Sequence, residues 1–243
     1  MNSNDTPEPG KSPSSVPQTD LPPSEMTPSE MTLDELRPVL VREMLPDIAF
    51  DGWTIRAAEA AAERLGVPAE RARLCFPRRE RDMIEGWVEL SDADMVEAMA
   101  REGVADMKIR DRIRRGVEIR LEQAAPYREA VREALKILGR PQNAAYAARS
   151  LWRTADRMWR AAGDTATDLN HYTKRATLSG VYSSTLIYWL QDDSEEFAET
   201  RAFLDRRIDD VMKIEKAKAE IRKARGNLPN PIRFLGRLRY PGV

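Results

Sequence analysis

The sequence predicts an all-α fold, and three observations carry that prediction. From Leu33 onward, apolar residues recur at helical spacing. Alternating β-branched runs bounded by Asn-Gly or Asp-Gly turns are missing, which argues against strands. Gly and Pro gather where periodic segments stop, at Gly66, at Gly139-Arg140-Pro141 and from Gly226 to Pro229. The predicted organisation is an acidic Pro/Ser-rich tail over 1–31, a helix-turn-helix part over 32–86, a longer helical part over 87–226 and an amphipathic helix over 230–240.

Residues 1–31 hold seven of the 16 prolines and almost nothing that could build a core, so the segment is expected to be disordered. A first helix is expected over 34–50. Thr54 caps a second that runs to Leu65 and stops at Gly66. Pro68 then opens a brief third helix through Leu74. Ala57, Ala58, Ala61, Ala62 and Leu65 share the packing face of this helix-turn-helix. Longer helices follow at about 79–102 and 106–123, the latter with Ile109, Ile113, Val117 and Leu121 in an amphipathic stripe. Helices over about 126–139 and 143–162 come next. Another runs from near Thr167 to about Gln191, its second half apolar or small nearly all round. Asp193 and Glu196 form the pattern of a reciprocal cap for a helix reaching about 225. A short helix from Asn230 to Arg239 closes the chain.

Composition narrows the function. The chain of 243 residues carries 39 Lys and Arg against 40 Asp and Glu, with one His and one Cys. That excludes an internal disulfide framework and the usual zinc clusters. No apolar run approaches the roughly 18–20 residues of a membrane-spanning helix. A secretory leader is not expected from the acidic, proline-rich start. Cys75 has no histidine near it in sequence and reads as a small buried hydrophobe. No glycine-rich phosphate loop is present, so neither catalysis nor a cofactor is expected. The helix-turn-helix is expected to be scaffold and to bind no nucleic acid, because residues 37–82 hold nine Arg against eight acids.

The charge is unevenly spread. Residues 1–31 hold one Lys against five acids, whereas 213–243 hold nine Lys or Arg against Glu215 and Glu220. Within that basic tail Ile232, Phe234, Leu235 and Leu238 fall on one half of a helical wheel, with Arg233 and Arg237 on the other side. This is the pattern of a helix lying on an anionic membrane surface. Trp152, Trp159, Leu178, Tyr182 and Leu186, from the long helices, are the candidates to line an apolar pocket for a greasy ligand. Ala176, Ser179, Gly180, Ser183 and Ser184 form a small-residue strip that suits close helix approach in a homodimer.

Ala162-Gly163-Asp164, the run from Thr167 to Ala176, Val181-Tyr182 and Gln191-Asp192 form a polar order that helical periodicity does not dictate. With Thr200 to Arg207, Gly52-Trp53 and Leu65-Gly66-Val67, these residues resemble the lipid-binding accessory protein family of coenzyme Q (ubiquinone) biosynthesis, ninth of the Coq set. The resemblance covers about 40–215. It implies a TetR-repressor-like helical fold without the DNA-reading role, a pocket for an isoprenoid quinone precursor or phospholipid, and a dimer. It also implies presentation of the precursor to a pathway hydroxylase. The family's partner-binding surface maps onto Asp168, Asn170, His171, Tyr172 and Arg175, with His171 where the family usually carries Trp. The N-terminal segment lacks the Arg-rich pattern of a transit peptide, so a cytoplasmic protein peripherally associated with a bacterial inner membrane is expected. The alternative is a TetR-type transcriptional repressor with a hydrophobic effector.

Overall fold

The structure, a computed structural model, describes residues 27–167 and 169–226, without the side chains of Leu169 and of 214–226. Asp168, residues 1–26 of the tail and the amphipathic segment 230–240 lie outside the described residues. Among the described residues the chain is helical throughout and holds no strand.

Helix α1 (Leu33–Met44) opens with a capping box. The Thr32 hydroxyl accepts from the Glu35 N–H, and the Glu35 carboxylate accepts in return from the Thr32 N–H at 2.8 Å. The single helix expected over 34–50 is instead broken. A 3-10 turn at Leu45–Asp47 separates α1 from the short α2 (Ile48–Asp51). Pro46 is the cause, since it has no N–H to continue the ladder and its ring clashes with the preceding turn.

Thr54 caps α3 (Ile55–Arg64) through the Ala57 N–H. Gly66, at φ +68, then lets Val67 bond back to the Ala62 carbonyl at 2.8 Å and its own N–H reach Glu63 at 3.0 Å. That paired closure is a Schellman turn, and it needs the left-handed conformation glycine adopts without steric cost. It aims α4 (Ala69–Cys75) back across α3 and α1. Residues 27–31, expected within the disordered tail, form a turn instead. The Arg71 guanidinium donates to the carbonyls of Ser29 and Met31 and ties that turn to α4.

The larger part is a bundle of α5 (Glu80–Arg101), α6 (Ile109–Ala124), α7 (Arg128–Leu138), α8 (Ala144–Ala161), α9 (Leu169–Trp189) and α10 (Ala198–Gly226). Helices α5, α8 and α9 pack in sequence against one another, with α6 against α5 and α10 against α9. Gly116 makes the α6–α8 contact close, because a Cβ there would stand 2.9 Å from Met158 Cγ. Trp53 joins the two parts. Its indole N–H donates to the Ala130 carbonyl at 3.1 Å, and its ring lies 5.2 Å from that of Trp87.

The reciprocal cap expected from Asp193 and Glu196 does not form. Asp192 takes the role, accepting from the N–H and hydroxyl of both Ser194 and Thr200 at 2.6–2.9 Å. Glu196 sits at φ 50 with an exposed side chain, because the backbone turns there before α10 begins.

Candidate functional site: an apolar cavity and an outward aromatic patch

A cavity of about 430 Å³ lies among α5, α6, α7, α8 and α9. Helix α5 contributes Ile84, Trp87 and Val88, α7 contributes Val131, Ala134, Leu135 and Leu138, and α9 contributes Tyr182, Leu186 and Ile187. Such a lining suits a hydrocarbon ligand, and its volume falls within the usual range for small-molecule pockets. Ile187 is exposed and marks the mouth, whereas Tyr182, Thr154 and Arg120 are buried at the inner end.

That inner end holds an unusual group of charges. Asp92 of α5 is fully buried and accepts from the Thr154 hydroxyl at 3.1 Å. The Arg120 guanidinium stands 3.4 Å from its other oxygen and 5.9 Å from the centre of the Tyr182 ring. Burial pushes the Asp92 carboxyl above the usual carboxylate range, against the pull of Arg120, Thr154 and Arg157. Burial likewise raises the Tyr182 phenol.

The five residues expected to line one pocket are divided. Tyr182 and Leu186 line the 430 Å³ cavity. Trp159 and Leu178 line a second cavity of about 210 Å³ between α6, α8, α9 and α10, with Ile113, Val181 and Ile208. Trp152 lines neither and lies against Tyr172, its ring 6.2 Å away. Asp92 and Arg120 were not legible as site residues in the sequence analysis. The available signal was a charge on an apolar helix face: Arg120 falls three residues after Val117 and Asp92 four after Val88.

The residues assigned to partner binding also separate. Tyr172 is 61% exposed, and the His171 ring meets it edge-on at 5.2 Å. His171 Nδ1 is 3.0 Å from the Ala166 carbonyl, and Asn170 lines the smaller cavity. Arg175 is different. It is 1% exposed, and its guanidinium pairs with Asp156 at 2.5 Å and Asp164 at 3.0 Å. Lys174 joins Asp164 at 2.6 Å, and the Trp159 indole donates to the Lys174 carbonyl at 3.0 Å. Burial opposes charge on both carboxylates, but the bonds from Arg175, Lys174 and Arg160 outweigh it and hold them below the usual range. Arg175 therefore fastens the start of α9 to α8 and presents no guanidinium to a partner.

Cys75 is buried, and burial pushes its thiol up, away from the thiolate a nucleophile needs. Among the described residues no cluster of three or more His, Cys, Asp or Glu is arranged to hold a metal ion. Also among them, no helix is long and apolar enough to cross a membrane.

The fold defines a TetR-like, all-helical protein. A crystal structure of a TetR transcriptional regulator from Nitrosomonas europaea superposes with a TM-score of 0.58, covering 72% of this chain and 96% of that one at 24% identity, a likeness of fold. The chain belongs to the COQ9 ubiquinone-biosynthesis family. The COQ9 family profile matches residues 144–215. The mitochondrial ubiquinone biosynthesis protein COQ9 of Rattus norvegicus is 36% identical over 177 residues, covering 70% of this chain and 55% of that protein. The Homo sapiens protein is 31% identical over 186 residues, covering 74% and 58%. The probable coq9 protein of Dictyostelium discoideum is 26% identical over 204 residues, covering 79% and 64%. The chain thus spans little more than half the length of the first two. These relatives are all eukaryotic and mitochondrial by name, which overturns the expectation of a cytoplasmic protein at a bacterial inner membrane. The composition of a terminal segment does not define a compartment.

Proposed function

We propose that the chain is a non-catalytic, lipid-binding accessory protein of ubiquinone biosynthesis. It holds an isoprenoid quinone precursor or phospholipid in the cavity between α5 and α9 and presents the precursor to a pathway hydroxylase. The observation that carries this reading is the 430 Å³ cavity itself, apolar along α5, α7 and α9 and open at Ile187. Its family supplies the pathway. Such a precursor partitions into bilayers, so a carrier for it works at a membrane surface. The basic, half-apolar segment 230–240 is the part of the sequence suited to that contact. The small-residue strip on α9 is the proposed homodimer seam.

The helix-turn-helix supports a scaffold role. Arg64 donates to Glu43 at 2.6 Å and Asp47 at 2.7 Å, Arg73 donates to Glu59 at 2.5 Å, and Arg71 is taken by backbone carbonyls. Guanidiniums already held by carboxylates are poor phosphate contacts. Leu74 is exposed on α4, where a reading helix carries polar groups for base edges.

Native mass spectrometry of the chain purified from its own host tests the proposal. A co-purifying isoprenoid quinone or phospholipid is expected. A ligand-free protein that also fails to take up short-chain quinones overturns it.

A further inference from the structure

The smaller cavity, about 210 Å³ between α6, α8, α9 and α10, shares no lining residue with the larger one among the described residues. Its walls are graded. Ile113, Leu178, Val181 and Ile208 are buried and close the inner end, whereas Ile109 and Met212 are exposed and mark the mouth. Helix α9 supplies a polar stripe on the same side, spaced i, i+3, i+4, i+7. It descends from the exposed Asn170 and Thr173 to the half-buried Lys174 and Thr177. A few placed polar groups on an otherwise apolar wall are what orients a ligand in a site between helices.

Two cations stand at one end of this cavity. The Arg112 guanidinium donates to the Ala162 carbonyl at 2.9 Å and Lys174 to Asp164 at 2.6 Å, so the starts of α6 and α9 meet at the end of α8. That brings Arg110 and Lys174, both lining residues, to the mouth. Arg110 pairs with Asp209 at 2.6 Å, and the Lys174 ammonium lies 5.3 Å from the centre of the Trp159 ring. Neither of their acidic partners lines the cavity, and no Asp or Glu does among the described residues. An ammonium has three N–H donors and a guanidinium five, so each cation keeps donors for a further acceptor.

We infer that this cavity binds a single-chain carboxylate of the medium-chain fatty acid class. The chain enters tail first toward Ile113, Val181 and Ile208, and its carboxylate stays at the mouth, accepting from Lys174 and Arg110. The volume selects the tail. An apolar cavity of about 150 Å³ takes up benzene, and drug-sized ligands need about 300 Å³ or more. A cavity of about 210 Å³ therefore fits one short chain and excludes a two-chain lipid. The charge selects the head, because both ionised side chains in the lining are cations. The inference goes beyond the lipid-binding reading, which concerns the larger cavity.

The test uses the full chain freed of lipid and a decanoate carrying a diazirine near the end of its tail. Photolysis followed by peptide mass spectrometry maps where the tail lies, and unlabelled decanoate, decanol and decylammonium compete for that position. The label is expected at the inner end, on Ile113, Val181 or Ile208. Decanoate is expected to compete there at a concentration at least about tenfold lower than either of the others. The double variant Arg110→Gln with Lys174→Met should lose about tenfold or more of the labelling at those residues. A label confined to α5 or α7 overturns the site and leaves the larger cavity as the one apolar pocket in use. Equal competition by decanol, or undiminished labelling of the double variant, overturns the carboxylate head, and preference for decylammonium overturns the sign of its charge. Absence of any label also overturns the site, without bearing on quinone uptake by the larger cavity. Mapping and competition on the unaltered chain decide the matter if the double variant does not fold.

Discussion

The rings of Trp152 and Tyr172 lie 6.2 Å apart, tilted by 32°, on the outside of the α8–α9 pair. His171 meets the other side of Tyr172, so three rings from two helices form one surface group. Aromatic side chains with a polar handle are the usual anchors of protein interfaces. Tyr172→Ala is expected to weaken hydroxylase binding by roughly tenfold or more, and Trp152→Ala to weaken it in the same direction. Because Tyr172 is exposed, the melting temperature of Tyr172→Ala should move little. Binding measured by calorimetry together with thermal melts checks this, and normal binding removes the patch as the interface.

Arg175 supports that patch from beneath. Removing one partner of a buried ion pair leaves the others unpaired and costs roughly 3 kcal/mol or more. Arg175→Met should therefore lower the urea midpoint strongly, in contrast to Tyr172→Ala. It should also weaken hydroxylase binding by loosening the start of α9. Urea titrations of the two variants side by side distinguish a surface contact from a structural one.

Asp192 gives the fold an acid limit. Burial opposes its charge, but four bonds from Ser194 and Thr200 outweigh that and hold its pKa down to about 2. The folded value lies below the unfolded one, so the stabilisation is complete above about pH 5 and is lost as pH falls through about 2. The difference corresponds to about 2.5 kcal/mol at neutral pH, at about 1.4 kcal/mol per pKa unit. Asp192→Asn should lose stability of that order at pH 7 and approach the unaltered chain near pH 2. Urea unfolding at the two pH values measures the difference.

Gly180 tests the dimer. A Cβ at this position meets nothing within 4 Å in the protomer, so a side chain fits there without disturbing the fold. Gly180→Ala should raise protomer stability by up to about 1 kcal/mol through helix propensity. Gly180→Phe should leave the helical circular dichroism spectrum intact and shift the mass seen by light scattering to that of the 27.6 kDa protomer. A chain that is already monomeric before substitution rules out the α9 seam.

Membrane contact is proposed for the segment 230–240 from its sequence. Each basic residue near an anionic leaflet contributes on the order of 1 kcal/mol, and each large apolar side chain adds burial. Ordering the segment opposes both, at about 1–2 kcal/mol per residue. Binding should therefore be reversible and sensitive to salt. Deleting 227–243 should reduce pelleting with anionic vesicles and leave the melting temperature of the remainder in place. Unchanged pelleting would locate membrane contact elsewhere in the chain.

What the sequence determined by itself was local. The Thr54 cap, the Gly66 turn and the periodic stripe of α6 define these helices within a few residues of their observed ends, because capping and periodicity act over a turn or two. The break at Pro46 was equally local, but a continuous apolar pattern across it concealed it.

Tertiary packing decided the rest. The second half of helix α9 is apolar or small nearly all round, so its pattern does not say which neighbour covers which side. Leu178 lines one cavity and Tyr182, a single turn later, lines another. Trp152 and Trp159, both drawn from α8, were equivalent as apolar residues until packing turned one outward against Tyr172 and the other inward onto the Lys174 carbonyl. Arg175 reads in sequence as part of an exposed polar patch, and only the approach of Asp156 and Asp164 makes its burial possible. The Asp92–Arg120 pair at the end of the cavity comes together across 28 residues of chain for the same reason. A charge enters a core only where another part of the chain brings its counter-charge, and no local pattern encodes that meeting.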